Sequence, residues 1–277
     1  MSDSAPAQNP IDVTVPSAAR MYDVLLGGNN NFASDRIAVE QLMVTAPNSR
    51  ELAVNNRAFL RRVVRTIVGE YNIDQIIDHG SGLPTQDNVH QVAQRLNEHC
   101  RVVYVDNDPI VLTQGRALLD ENDNVAVIEA DMAETDRLLS HPRVQELIDF
   151  DRPLAALFVS VLHCVDDQKA AAMVRETVGR LAPGSVVVIC QLVSDDPDVR
   201  DKVTTLMHEQ THGQWGRVRT EDDVDAYFEG LDVQPPGLGD VSLWRPDTEV
   251  LPRQRTHEWT EYGGLALVPA VPASSTT

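Results

Sequence analysis

Four places along the chain carry residue types suited to holding a nucleoside, and each follows an apolar run. The first is Gly80-Ser81-Gly82, just after the run Gln75-Ile76-Ile77-Asp78. Glycines let a backbone turn sharply and approach a ligand closely, and the N-terminus of a following helix favours negative charge. The third glycine of a GxGxxG fingerprint is missing: Thr85 stands there, after Leu83-Pro84. The second is Asp106, closing Tyr104-Val105-Asp106, 24 residues after Gly82. An acid at that point can accept hydrogen bonds from both hydroxyls of a ribose. The third is Asp131 in Glu129-Ala130-Asp131-Met132, where an acid and a following amide can meet an adenine edge. The fourth is Ser160 to His163, at the end of the run 154–162. Together they describe an adenosine site with no strong phosphate cradle, which suits S-adenosylmethionine better than NAD. The missing third glycine and the lack of a Tyr-Lys catalytic pattern argue against a nicotinamide oxidoreductase.

Further side chains have chemistry to weigh. His163 lies just past an apolar strand with Asp166 and Asp167 close in sequence, and an imidazole suits proton transfer near neutral pH. His79 abuts the glycine loop at a strand end, a structural position. Cys164 reads as a small core residue. His208 and His212 stand at i, i+4 spacing with no third ligand for a metal in sight. Arg57, Arg61 and Arg65 repeat at four on one helix face. Arg57 has the reach for a methionine carboxylate or an anionic substrate, and the others read as a solvated or docked face.

These residues need a scaffold, and the pattern around them supplies one. Residues 1–16 read as a loose arm. Residues 17–73 are helical, broken at Gly27-Gly28, with one helix ended by Pro47 and a stronger one over 50–69. That helix carries an apolar stripe of Phe59, Val63 and Ile67 beside Leu60, Val64 and Val68. From residue 74, strands at 75–78, 101–106, 125–131, 154–162 and 185–193 alternate with helices at 86–97, 109–120 and 167–181. Such alternation predicts an α/β fold, a mostly parallel sheet with helices on both faces. A helix over 221–229 precedes 231–236 and 261–269, which read as late antiparallel edge strands. Residues 196–220 carry the least pattern, and 268–277 read as a flexible tail. The organisation is thus a helical cover (17–73) over a binding domain (74–267).

The 277 residues carry a formal net charge of −19, from 23 basic and 42 acidic side chains. Residues 1–73 hold seven arginines and seven acids, so the whole excess lies in the later segment. A chain this acidic repels polyanions, which speaks against nucleic acid as a partner. The N-terminus has no basic stretch followed by an apolar one, and no apolar run approaches the roughly 18 residues of a spanning helix. Three scattered cysteines make no disulfide framework. The expectation is a cytoplasmic protein with no membrane partner, a monomer or a homodimer.

The segments 17–36, 55–62, 76–90, 101–112, 129–132 and 152–165 together resemble a bacterial family of S-adenosylmethionine-dependent methyltransferases first catalogued as a domain of unknown function. The likeness spans roughly residues 17–264, and its Gly80–Thr85 and Tyr104–Pro109 stretches are the most specific. The resemblance implies a Rossmann-like class I methyltransferase sheet with an N-terminal helical segment folded over the cofactor. It places Asp78, Gly80, Ser81 and Gly82 at the methionine and ribose end, Asp106 and Asn107 on the ribose hydroxyls, Asp131 and Met132 beside the adenine, and Ser160 beneath the cofactor. Tyr22, Asn31 and Phe32 match a segment that closes the site. His79 stands where the family pattern has an aliphatic residue, and Asn30 where Asp is common.

The expected chemistry is in-line methyl transfer to an oxygen or nitrogen of a small molecule. Orientation does much of the work because the cofactor is already activated. A hydroxyl acceptor benefits from a base, for which His163 is the candidate; a carboxylate or tertiary amine needs none. The alternative is a non-catalytic S-adenosylmethionine sensor, which would keep the glycines and acids but lack an open acceptor pocket.

Overall fold

The computed structural model describes residues 12–85, 87–119, 122–247 and 259–270. The expected arm and tail lie largely outside them. Three helices come first: α1 (Ala18–Leu25), α2 (Ala33–Thr45) and α3 (Ser49–Gly69). An α/β succession follows: β1 (Gln75–His79), α4 (Val89–Gln94), β2 (Arg101–Asp106), α5 (Pro109–Leu119), β3 (Val125–Glu129), α6 (Thr135–Leu139), α7 (Pro142–Leu147), β4 (Ala155–Val159), α8 (Asp167–Val178), β5 (Val186–Val193) and α9 (Pro197–Gln210). The chain closes with α10 (Glu221–Asp225), β6 (Asp232–Val233), β7 (Gly239–Asp240) and β8 (Thr260–Leu267).

The strand order is β3-β2-β1-β4-β5-β8-β6, with β7 also on β8. The first five strands run parallel; β8 is antiparallel to β5. Side chains alternate between two cores. Ile76, Val102, Tyr104, Leu157 and Val188 face Phe59, Val63 and Ile67 of α3. Ile77, Val103, Val105, Phe158 and Ile189 face Ala170, Met173 and Val174 of α8. Burial on both faces is why these strands read as unbroken apolar runs. The order reverses between β1 and β4, which are neighbours, so the carboxyl ends of β1, β2 and β4 border one crevice.

Two expectations change. The late strand β8 is interior, between β5 and β6, and the short β6 lies outside it. Its Gly263 permits this, since a Cβ there would stand 1.9 Å from Ile189 O on β5. The segment 196–220 contains the 14-residue α9. Its start signal was present: Asp196 caps Asp198 and Val199 N–H groups, and Pro197 occupies the first turn. Only Val203 and Met207 of α9 are buried, too thin an apolar stripe to read from periodicity.

Residues 17–73 divide between two roles. α1, α2 and the start of α3 form a small core with α9 through Met21, Leu25, Leu42, Leu52 and Met207. The rest of α3 is a sheet-covering helix. Its basic row faces the acidic body: Arg61 pairs with Asp87 at 3.8 Å, and Arg65 pairs with Asp247. Arg20 instead stays inside the cover, its Nε 3.0 Å from both oxygens of Asp35. Arg62 is the buried member. It donates to Trp244 O and Val241 O, each at 2.7 Å. Arg62→Ala is expected to cost about 2–3 kcal/mol in denaturant unfolding, because two buried carbonyls lose charged donors. Arg65→Ala, at an exposed pair, should cost less than about 1 kcal/mol.

Candidate functional site

The crevice opens into a cavity of about 760 Å³ lined from the helical segment by α1 and α3, with Leu42 of α2 and Met207 of α9. The loop after β1 sets its floor. Gly80 and Ser81 N–H groups both donate to Val105 O, at 2.8 and 3.0 Å, which folds the loop across the end of β2. Gly80 and Gly82 have φ of +65° and +66°, a left-handed backbone that favours glycine. A Cβ on Gly80 would meet Val161 Cγ2 at 2.1 Å, whereas one on Gly82 would meet nothing within 4 Å. Gly80 is therefore packed against Val161, and Gly82 faces open space.

Asp106 organises the next loop. Its Oδ2 accepts Gly82 N–H and its Oδ1 accepts Asp108 N–H, both at 2.9 Å. A carboxylate has about four acceptor sites, so room remains for a diol. Burial raises its pKa despite these amides. Asp78, at the end of β1, is pushed up to about 7 by burial, against the pull of Arg57 and with help from Asp106. Arg57 lines the cavity and donates to Thr85 Oγ1. Asn107, Asp131 and Met132 border the same cavity, with Asp131 Oδ1 accepting Ala133 N–H at 2.9 Å. Tyr22 closes it from α1: its hydroxyl donates to Ala53 O and accepts from Asn56 Nδ2, each at 3.0 Å.

The pKa of Asp78 has a consequence for stability. The folded state holds a proton that the unfolded state, near 3.8, releases. Stability therefore falls as pH rises from about 4 to about 7, then levels. The melting-temperature advantage of Asp78→Asn over wild type, both without ligand, should grow across that window and stay constant above it.

Two sequence candidates sit elsewhere or act otherwise. Asn31 is not on the cavity wall. Its Nδ2 donates to Asp23 Oδ2 at 2.8 Å and Gly28 O at 3.0 Å, and its Oδ1 accepts from Arg36. It closes the Gly27-Gly28 turn, where a Cβ on Gly28 would lie 2.0 Å from Asp23 Oδ1. Phe32 lies outside too, its ring 5.4 Å from the Arg20 guanidinium. Asn30 joins this turn to the body by accepting from Gln114 of α5.

His163 does line the cavity, 4.8 Å from the Trp215 ring, but its Nδ1 accepts Leu192 N–H at 3.4 Å. Burial, then the charge of Arg219, push its pKa down to about 3. The neutral ring keeps its proton on Nε2, a donor and not a lone pair, which leaves it ill-suited as a general base. Strand-end position was legible in the sequence; burial was not. His79 is structural as expected, stacked 4.3 Å from Phe158 and bonded to Leu157 O. Burial pushes the Cys164 thiol up to about 12, away from nucleophile chemistry. No group of three or more potential metal ligands exists among the described residues.

In the far half of the cavity, sequence reasoning singles out only His212. Leu42, Met207, Trp215, Trp259 and Glu261 line it. Glu261 had a signal, as an acid beside the apolar run of β8. The two tryptophans, far apart in sequence, had none.

A mostly parallel sheet with antiparallel late strands, its switch point at a glycine turn and helices around it, is the Rossmann-like fold of class I methyltransferases. The model of a family described as S-adenosyl methyltransferase matches residues 4–269, and the chain belongs to that family. Its cofactor is S-adenosylmethionine. The fold is similar to that of a candidate methyltransferase from Thermobifida fusca. The two are 38% identical over 96% of this chain and 100% of that one, with a TM-score of 0.88. A DUF574 family protein from Streptomyces avermitilis is 30% identical over 94% of this chain and 100% of that one, with a TM-score of 0.85. No functionally curated protein matches the sequence. The residues present fit the cofactor: Asp106 keeps acceptor sites beyond the two amides it holds, and the space beside Gly82 is open.

Proposed function

We propose that the protein transfers the methyl group of S-adenosylmethionine to an oxygen or nitrogen of a small apolar-bodied molecule. One observation carries this: besides the cofactor candidates, the cavity is lined by an apolar group, Leu42, Met207, Trp215 and Trp259, which belong to one hydrophobic cluster. At about 760 Å³ it is within the roughly 300–1,000 Å³ range of small-molecule sites.

Asp106 and Asn107 would hold the ribose, Asp131 and Met132 the adenine, and Asp78, Arg57 and the glycine loop the methionine end. Bound S-adenosylmethionine supplies an electrophilic methyl whose leaving group is a neutral thioether. The chain's own contribution is orientation and exclusion of water. Tyr22 and the cover helices wall one side, and the apolar chamber aligns the acceptor. No helix among the described residues is long and apolar enough to cross a membrane.

The test is transfer of labelled methyl to a metabolite panel. Product from at least one member, absent with Asp106→Ala, is the expected result. Tight cofactor binding without transfer to any member would favour a sensor instead.

A further inference from the structure

Two side chains at the edge of the cavity are joined in a way that cofactor binding does not require. Ser160 follows β4 with φ +57°, a left-handed conformation uncommon for a residue with a side chain. Its N–H donates to Cys190 O at 2.9 Å, and its Oγ–H donates to Glu261 Oε1. Glu261 reaches it from β8, across β5. It is 2% exposed, and its Oε2 has no hydrogen-bond partner. Both residues border the cavity. The titratable groups that bear on Glu261 are Asp240 of β7, Cys190 of β5, Tyr22 of α1 and Cys164; none is a cation. A buried carboxylate without a counter-charge takes up a proton readily, and burial lifts this one to about 7. Strained backbone of this kind concentrates at functional sites.

We propose that Ser160 and Glu261 form a proton relay that deprotonates the methyl acceptor, so the acceptor group is a hydroxyl or an N–H. The inference rests on the methyl-transfer reading. The acceptor's proton passes to Ser160 Oγ as the Ser160 hydroxyl proton passes to Glu261 Oε1. The electron pair left on the acceptor atom forms its bond to the methyl carbon while the carbon–sulfur bond breaks, that pair remaining on a neutral thioether. Glu261 releases its proton to solvent once product departs. Ser160 starts and ends as a neutral hydroxyl, and Glu261 is the net acceptor.

The protein loaded with S-adenosylhomocysteine is titrated with 4-nitrophenol, buffered close to the pKa of about 7 that Glu261 shares with the free phenol, and the phenolate of free phenol is subtracted. Wild type should bind it as phenolate, read by absorbance, while the infrared carboxylic-acid stretch of Glu261 grows in step. Glu261→Gln should show at least about tenfold less phenolate yet keep its S-adenosylhomocysteine affinity. Ser160→Ala should lose the phenolate signal too, and Glu261→Asp should recover part of it. Several results would overturn the relay: phenolate formation by Glu261→Gln equal to wild type, phenol bound only in neutral form or not bound, or a matching loss of S-adenosylhomocysteine affinity. Failure of wild type to bind S-adenosylhomocysteine would remove the methyl-transfer reading and the relay together.

Discussion

Asp106→Ala should lose about 100-fold in affinity for S-adenosylhomocysteine, measured by calorimetry. The side chain already holds the loop through Gly82 and Asp108 N–H groups. Its remaining lone pairs are the ones a ribose diol would use. Hydrogen bonds to a charged group contribute about 1.5–3 kcal/mol each. Two such bonds total about 3 kcal/mol or more, and 1.4 kcal/mol is tenfold in affinity. Removing the carboxylate also strands two amides and loosens the loop, which adds to the loss. Asp106→Asn, which keeps acceptor geometry on one side, should fall between the two. Wild-type affinity in Asp106→Ala would refute the ribose role.

The second large effect separates two glycines that look alike in sequence. Gly80→Ala should destabilise the fold by about 3 kcal/mol, combining left-handed strain with overpacking against Val161. For a chain of this size that is a fall of roughly 6–12 °C in melting temperature. Gly82→Ala carries the same backbone strain but meets no neighbour. Its stability cost should be only about 1–2 kcal/mol, while its cofactor affinity drops at least about tenfold, because the new methyl occupies ligand space. Thermal unfolding and calorimetry on both variants check the pair. Equal effects of the two substitutions on stability and on binding would show that the loop has one role, not two.

Much of the near half of this site was legible because Gly82, Asp106, Asp131 and Ser160 stand at or just past the ends of parallel strands. Apolar runs at 75–78, 101–106 and 154–162 place these strands, with Gly82 and Asp106 at or just past their ends; β4 stops at Val159, short of its run, which puts Ser160 at its end. The two-sided burial of the strands made them easy to place. Loop fates were harder. Asn31 reads as a site residue, yet Asp23 and Gly28 consume its amide in a local turn. His163 reads as a base because a strand ends before it; burial and the Leu192 amide, both products of tertiary packing, withdraw its lone pair. Apart from His212, the far half was hard to read for a different reason. Trp215, Trp259 and Met207 meet only because α9 and β8 return to the cover, a juxtaposition that local periodicity does not encode.

The uneven charge also acquires a place. The near-neutral segment supplies Arg57, Arg61 and Arg65, which lie against the acidic body, with Arg62 beneath them holding the turn at 241–244. The acids that matter most, Asp78, Asp106 and Glu261, border the cavity that this segment covers.

One cavity is proposed to hold cofactor and acceptor side by side, and a crystal structure of the complex with S-adenosylhomocysteine is the decisive measurement. The ribose diol is expected on Asp106, the homocysteine sulfur between the Gly80–Gly82 loop and Ser160, and an open chamber beyond it bounded by Trp215, Trp259 and Glu261. A nucleoside seated away from Asp106, or one that fills that chamber, would contradict it.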